Sequence, residues 1–221
     1  PAPNAGSGQV LVRNIYLSLD PANRGWINDV PTYRPPVGLG KPMAGFTIGR
    51  VAASNREGLA VGDLVEGDGG WQDYALFGPN EPLTKLPAGE DLIARMSVRG
   101  ITGLTAYWGL LDIGKPVSGE TVLVSAAAGA VGMIVGQIAK IKGCHVVGVA
   151  GTDEKCRWIV DDLGFDSAIN YKNENVSKAL GQHCPNGVDI YFDNTGGDIL
   201  QATLFHMNRG GRMVCCGVVS Q

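Results

Sequence analysis

The chain has little of what several function classes need. No run of ~18 apolar residues occurs, so no segment reads as a membrane-spanning helix. Histidine is scarce, three residues in all, and no C-x-x-C pair exists among the five cysteines Cys144, Cys156, Cys184, Cys215 and Cys216. That leaves no zinc site of usual spacing, and an odd, scattered thiol set fits a reduced, cytoplasmic setting better than a disulfide framework. Long basic runs are also missing, and the net charge is −3. Neither nucleic acid nor an anionic membrane is therefore expected as a partner. No signal peptide is visible.

What is present is glycine, 33 residues in 221, about twice the average usage of ~7%. These glycines fall mainly at turns. Apolar content of 44% and charged content of 18% describe a globular chain with a substantial core. Up to about residue 107 the texture is short apolar runs broken by Gly and Pro. Val10 to Val12, Asn14 to Leu19, Phe46 to Ala53, Leu64 to Glu66 and Trp71 to Phe77 read as strands of a small irregular β domain.

From about 108 onward strand and helix patterns alternate. Strands are expected at Thr121 to Ser125, His145 to Val149, Ser167 to Tyr171, Val188 to Phe192 and Arg212 to Val219. Helices are expected after the first, over about 153–163, in a short polar stretch to Leu180, and through Leu200, Leu204 and Met207. Five such units imply an α/β fold with a doubly wound parallel sheet and right-handed crossovers. The two domains are expected at 1–107 and 108–221, both incomplete. A full dinucleotide-binding sheet has six strands, and only five are read here.

The most specific segment is Thr121 to Gly143. A buried strand leads into Ala127, Gly129 and Gly132, the positions of a G-x-G-x-x-G turn with Ala replacing the first Gly. Val131, Ile134, Val135, Ile138 and Ala139 then recur at helical spacing. Small residues let backbone approach a pyrophosphate, and the helix N-terminus presents amides and a positive dipole end to it. A site for NAD usually carries an acid about 20 residues on, for the ribose 2′-OH. Here the second strand ends in Ala150-Gly151 and continues Thr152-Asp153-Glu154-Lys155 with Arg157 beyond. A small residue followed by a cation suits a 2′-phosphate. Lys155 is assigned to that phosphate, and Arg157 to a solvated helix face.

The chain resembles the zinc-independent medium-chain dehydrogenases/reductases, in particular the NADPH-dependent alkenal/one, leukotriene/prostaglandin and curcumin reductase group. The resemblance rests on Tyr16-Leu17-Ser18-Leu19-Asp20-Pro21 with Arg24, on Val61-Gly62-Asp63-Leu64-Val65 and on Gly103-Leu104-Thr105-Ala106-Tyr107. Ala126-Ala127-Ala128-Gly129-Ala130-Val131-Gly132, Asp153-Glu154-Lys155, Asn170-Tyr171-Lys172, Tyr191-Phe192-Asp193-Asn194 and Cys216-Gly217 complete it. It implies a GroES-like irregular β domain followed by a Rossmann domain that lacks its last strand. By resemblance, Gly129, Ala130, Val131 and Gly132 meet the pyrophosphate of NADPH, and Lys155 and Tyr171 its 2′-phosphate. Asn194 lies toward the nicotinamide, with Cys216, Gly217 and Val218 lining the same crevice.

The resemblance further implies hydride transfer to the C=C bond of an α,β-unsaturated aldehyde or ketone, without metal. Where metal-dependent relatives carry ligands, this chain has Ala44-Gly45-Phe46-Thr47. Tyr33 and Tyr107 are the candidate proton donors, since a phenol of pKa about 10 is protonated at neutral pH. Asn23 replaces a residue that is usually apolar in the group and is expected to make its part of the site more polar. The group runs on beyond Gln221 and forms homodimers. Two alternatives stand beside this reading, an NADPH-dependent quinone reductase of the same superfamily and a non-catalytic NADPH-binding remnant.

Overall fold

The computed structural model describes residues 3–30 and 34–219. The chain divides into two compact units, Pro1–Met96 and Ser97–Gln221.

In the first unit β1 (Val10–Leu17), β2 (Thr47–Ser54), β3 (Leu64–Gly67), β4 (Tyr74–Phe77) and β5 (Leu83–Lys85) form one antiparallel sheet in the order β4-β1-β2-β3-β5. Val10, Val12, Val51, Val65, Ala75 and Phe77 make its core. The two runs read separately at Val10 to Val12 and Asn14 to Leu19 are one strand. Register shifts between Leu11 and Val12 and between Asn14 and Tyr16 break its alternation. Short helices α1 (Ala22–Trp26) and α2 (Leu92–Met96) were not legible, and β5 was not expected either. Asp91 caps α2 by accepting from the amides of Ile93 and Ala94, both at 3.1 Å. Arg95 of α2 forks onto Glu66 of β3, a side chain only 10% exposed.

The second unit opens with α3 (Ile101–Trp108), which runs into a π-helical turn, Gly109–Gly114. Then strands β6 (Thr121–Val124), β7 (His145–Ala150), β8 (Ser167–Asn170), β9 (Val188–Asp193) and β10 (Met207–Cys215) alternate with helices. The helices are α4 (Gly132–Ile141), α5 (Asp153–Asp161), α6 (Val176–His183) and α7 (Gly197–Leu204). The sheet is wholly parallel, in the order β10-β9-β6-β7-β8.

Successive strand residues face opposite sides, and here both sides are apolar. Val122, Val124, Ile190 and Phe192 pack under α4 with Val135 and Ala139. Leu123, Val149, Ile169 and Tyr191 pack on the other side with Ala179, Leu180 and Ile199 of α6 and α7. Burial on both faces is what a near-continuous Val/Ile/Leu strand encodes. Each such side chain contributes about 1.5–3 kcal/mol.

The fifth strand differs from expectation. It covers Met207–Cys215 rather than Arg212 to Val219, and Met207 belongs to it rather than to the preceding helix. Met207 pairs with Val188, and a register shift then separates it from Arg212, with Gly210 at φ +80° inside the irregularity. The strand stops because the amides of Cys216 and Gly217 both turn onto the Asp193 carbonyl, at 2.8 and 3.0 Å.

Candidate functional site

Strand order reverses at β6. The chain moves outward through β7 and β8, then returns to the other side of β6 as β9. Ligands of open α/β sheets bind at the carboxyl ends of strands beside such a reversal. The residues just past β6 and β9 are Ser125 and Asn194.

These two are tied together. The Asn194 amide donates to Ser125 Oγ at 2.8 Å, and its side-chain Nδ2 donates to the Ser125 carbonyl at 2.7 Å. Ser125 Oγ in turn donates to Asp193 Oδ1 at 3.1 Å. The same oxygen accepts from the Tyr191 hydroxyl at 2.7 Å and from the amides of Thr195 and Gly196, each at 2.9 Å. Asp193 is only 3% exposed. A buried carboxylate without a cation is tolerable when this many donors converge on it. Burial pushes the Tyr191 phenol up, against a pull from Ser125 and with a further push from Asp193. Tyr191 thus stays a donor across the working pH range.

Gly217 fits against this knot. A Cβ there would lie 2.8 Å from the Asn194 carbonyl, so only glycine allows the approach. Asn194, Cys216 and Gly217 are therefore brought together around Asp193. Val218 follows them and is exposed.

The turn between β6 and α4 is equally tight. Ala126 takes a left-handed conformation, φ +46°. Its carbonyl accepts from the Gly129 amide at 2.8 Å and would sit 2.4 Å from a Cβ on Gly132. No side chain caps α4. Among the described residues no backbone carbonyl accepts from the amides of Ala130 or Val131. The turn Gly129 to Gly132 thus presents the unpaired amides of Ala130 and Val131 at a helix N-terminus, which suits a phosphate.

At the end of β7, Gly151 faces the ring of Tyr171. A Cβ on Gly151 would lie 3.1 Å from Tyr171 Cε1 and 3.2 Å from its hydroxyl. A side chain at 151 would press on this ring, which would have to give way slightly. Tyr171 is 43% exposed, and its amide donates to the Ala150 carbonyl at 3.1 Å. Lys155 is exposed in the first turn of α5, with its amide capped by Thr152 Oγ at 3.2 Å. Among the described residues no carboxylate pairs with its ammonium. Arg157, on the same helix, is exposed.

Of the two candidate proton donors, one falls among the described residues. Tyr107 lies on α3, half exposed, with its ring edge-on to Trp108 at 5.6 Å between centroids. Tyr33 lies outside the described residues. Asn23 requires a correction. It is 5% exposed, its Oδ1 accepts from the Asp20 amide at 2.6 Å, and its Nδ2 donates to the Ala44 carbonyl at 2.8 Å. Its polarity is consumed in holding the backbone before α1, not offered to a pocket.

Ser125, Tyr191 and the role of Asp193 were missed in the sequence. The available signal was their position, at or just before the carboxyl ends of β6 and β9. One surface hollow among the described residues lies elsewhere, at the amino ends of the strands, bounded by Thr121, His145, Ser167 and His183. It is open and carries none of the groups above. Among the described residues no three His, Cys, Asp or Glu side chains gather as a metal site requires. No helix among them is long and apolar enough to cross a membrane.

Two family models match, "N-terminal domain of oxidoreductase" over residues 1–86 and "Zinc-binding dehydrogenase" over residues 130–221. The NADPH-dependent curcumin reductase of Escherichia coli is 46% identical over 215 residues, covering 97% of this chain and 62% of the relative. The 2-alkenal reductase (NADP(+)-dependent) of Nicotiana tabacum is 42% identical, covering 98% and 64%. Among solved structures, CurA of Vibrio vulnificus in complex with NADPH is 44% identical with a TM-score of 0.94, covering 99% and 65%. The chain thus spans slightly under two thirds of these relatives' length. With both family models matched and relatives of this kind, the chain belongs to the zinc-independent medium-chain dehydrogenase/reductase group that includes the curcumin, 2-alkenal and prostaglandin reductases.

Proposed function

We propose that this chain is part of an NADPH-dependent oxidoreductase that reduces the C=C bond of α,β-unsaturated aldehydes or ketones. The observation that carries the cofactor choice is the contact of Tyr171 with Gly151, beside the unpaired Lys155. Glycine at 151 supplies no ribose-binding acid, and the phenol and ammonium are offered to a 2′-phosphate. A relative of 44% identity bound to NADPH supports the same reading.

The residues divide the work as follows. Ala130, Val131 and Gly132 would hold the pyrophosphate through backbone amides. Lys155 and Tyr171 would hold the 2′-phosphate. Asn194 and Gly217, locked around Asp193, would shape the wall where the nicotinamide rests, with Cys216 and Val218 beside them. When bound, NADPH would supply a hydride to the β-carbon of the C=C bond. The electron pair of the C=C bond then places negative charge on the carbonyl oxygen, which a hydrogen-bond donor stabilises by a few kcal/mol, and a proton taken up at the α-carbon completes the reduction. Tyr33 and Tyr107 are the proposed donors. No metal is required, because the carbonyl itself delocalises the charge.

The reaction class follows relatives named curcumin, 2-alkenal and (+)-pulegone reductase at 40–46% identity. Solved quinone oxidoreductases are more distant, at 25% identity. The test uses the full-length protein with NADPH and, separately, an enone, a quinone and a saturated aldehyde, with products identified by mass. The enone should be converted to the saturated ketone, and activity should survive exhaustive chelation. Turnover of the quinone alone, or alcohol as the sole product, would overturn the reading.

A further inference from the structure

Lys155 and Tyr171 stand on different loops, one after β7 and one after β8. Their joint use on one phosphate requires the two loops to keep a fixed spacing. Beside the backbone bond from the Tyr171 amide to the Ala150 carbonyl, one buried side chain ties them. Asn170 is 5% exposed and ends β8. Its Oδ1 accepts from the Lys172 amide at 3.1 Å, which fixes the orientation of the side-chain amide. Its Nδ2 therefore faces the first turn of α5, where it donates to Asp153 Oδ1. Asn173 Nδ2 reaches the same carboxylate oxygen at 3.4 Å. Asp153 is two residues before Lys155, and Asn170 directly precedes Tyr171.

We propose that the Asn170–Asp153 pair is a positioning device that sets the preference for a 2′-phosphorylated cofactor. This rests on the NADPH reading above. The pair acts by holding Lys155 and Tyr171 at one separation. Neither residue touches the cofactor in this account, so the effect is on discrimination and not on binding as a whole.

The experiment measures dissociation constants of the full-length protein for NADPH and NADH by fluorescence titration. Adenosine 2′,5′-bisphosphate and 5′-AMP serve as minimal probes of the same subsite. Asp153→Ala and Asn170→Ala should each cut the NADPH-over-NADH ratio about tenfold, chiefly by weakening NADPH. Asp153→Asn keeps an acceptor for Asn170 and should hold the ratio within about twofold of wild type. Asp153 is exposed, so its variants decide the matter if Asn170→Ala fails to fold. An unchanged ratio in the alanine variants, equal weakening of both cofactors, or a loss in Asp153→Asn equal to that in Asp153→Ala overturns the proposal while leaving the NADPH reading intact. A wild-type ratio near one defeats both.

Discussion

Replacing Asp193 by asparagine tests the account of the crevice most directly. Four donors meet Asp193 Oδ1 at 2.7 to 3.1 Å, from Tyr191, Thr195, Gly196 and Ser125. A hydrogen bond to a charged group contributes about 1.5–3 kcal/mol, and a neutral one about 0.5–1.5 kcal/mol. Asparagine keeps an oxygen but loses the charge, so each bond weakens by about 1 kcal/mol and the site by ~3–4 kcal/mol. Alanine is worse. It strands the same donors in a buried place, at about 1–3 kcal/mol each, a sum comparable to the whole stability of a typical domain. Tyr191→Phe removes one donor and should cost about 1–2 kcal/mol. Urea unfolding followed by tryptophan fluorescence gives the three values. The expected order is Tyr191→Phe, then Asp193→Asn, then Asp193→Ala, which should scarcely fold. A loss below about 1 kcal/mol in Asp193→Asn, or Asp193→Ala as stable as Asp193→Asn, would show that the knot does not hold the crevice.

Gly136→Ala should destabilise by about 2 kcal/mol or more, because its Cβ would lie 1.9 Å from the buried ring of Phe165, and thermal melting reads the loss. Arg212 forks onto Glu120 and holds the Glu120 carboxyl below its ordinary range. Because the folded pKa is depressed, this stabilisation is full above about pH 4.3 and fades as pH falls through the folded value. Glu120→Gln should therefore lower stability at pH 7 and converge with wild type as pH falls below the depressed folded value, as followed by urea midpoints across pH. Asn23→Ala should cost about 1–2 kcal/mol in the same assay through its two lost backbone ties, without reordering the substrates of the full-length protein.

The parallel half of the fold was legible because its strands are apolar on both faces and its helices recur at 3.6-residue spacing. The turn at Gly129 to Gly132 was legible for the same reason, since a buried strand and an amphipathic helix flank it. Legibility failed where local pattern and tertiary pairing disagree. Asn208-Arg209-Gly210-Gly211 reads as a turn, yet the chain there follows β9 through a bulge. α1 contains Gly25, and glycine lowers helical propensity by about 1 kcal/mol. Asn23 looked like a pocket residue because its backbone partners at Asp20 and Ala44 cannot be known from its neighbours. The Asp193 knot joins residues 68 positions apart, Ser125 and Asp193, and no periodicity encodes such a meeting.

The packing of Tyr171 against Gly151 also constrains how cofactor choice could drift over generations. On the proposed assignment, an acid arriving at 151 would bring its Cβ to 3.1 Å from the Tyr171 ring, so the phenol would have to give way by a small shift to admit it. Loss of the phenol first would open the space but leave no acid to use it. Neighbouring positions of this kind are coupled, so neither single substitution reports the merit of the pair. On the proposed assignment, a lineage moving toward NADH passes through intermediates in which only one of the two positions has changed. The same intermediates would meet an engineer who changed one residue at a time.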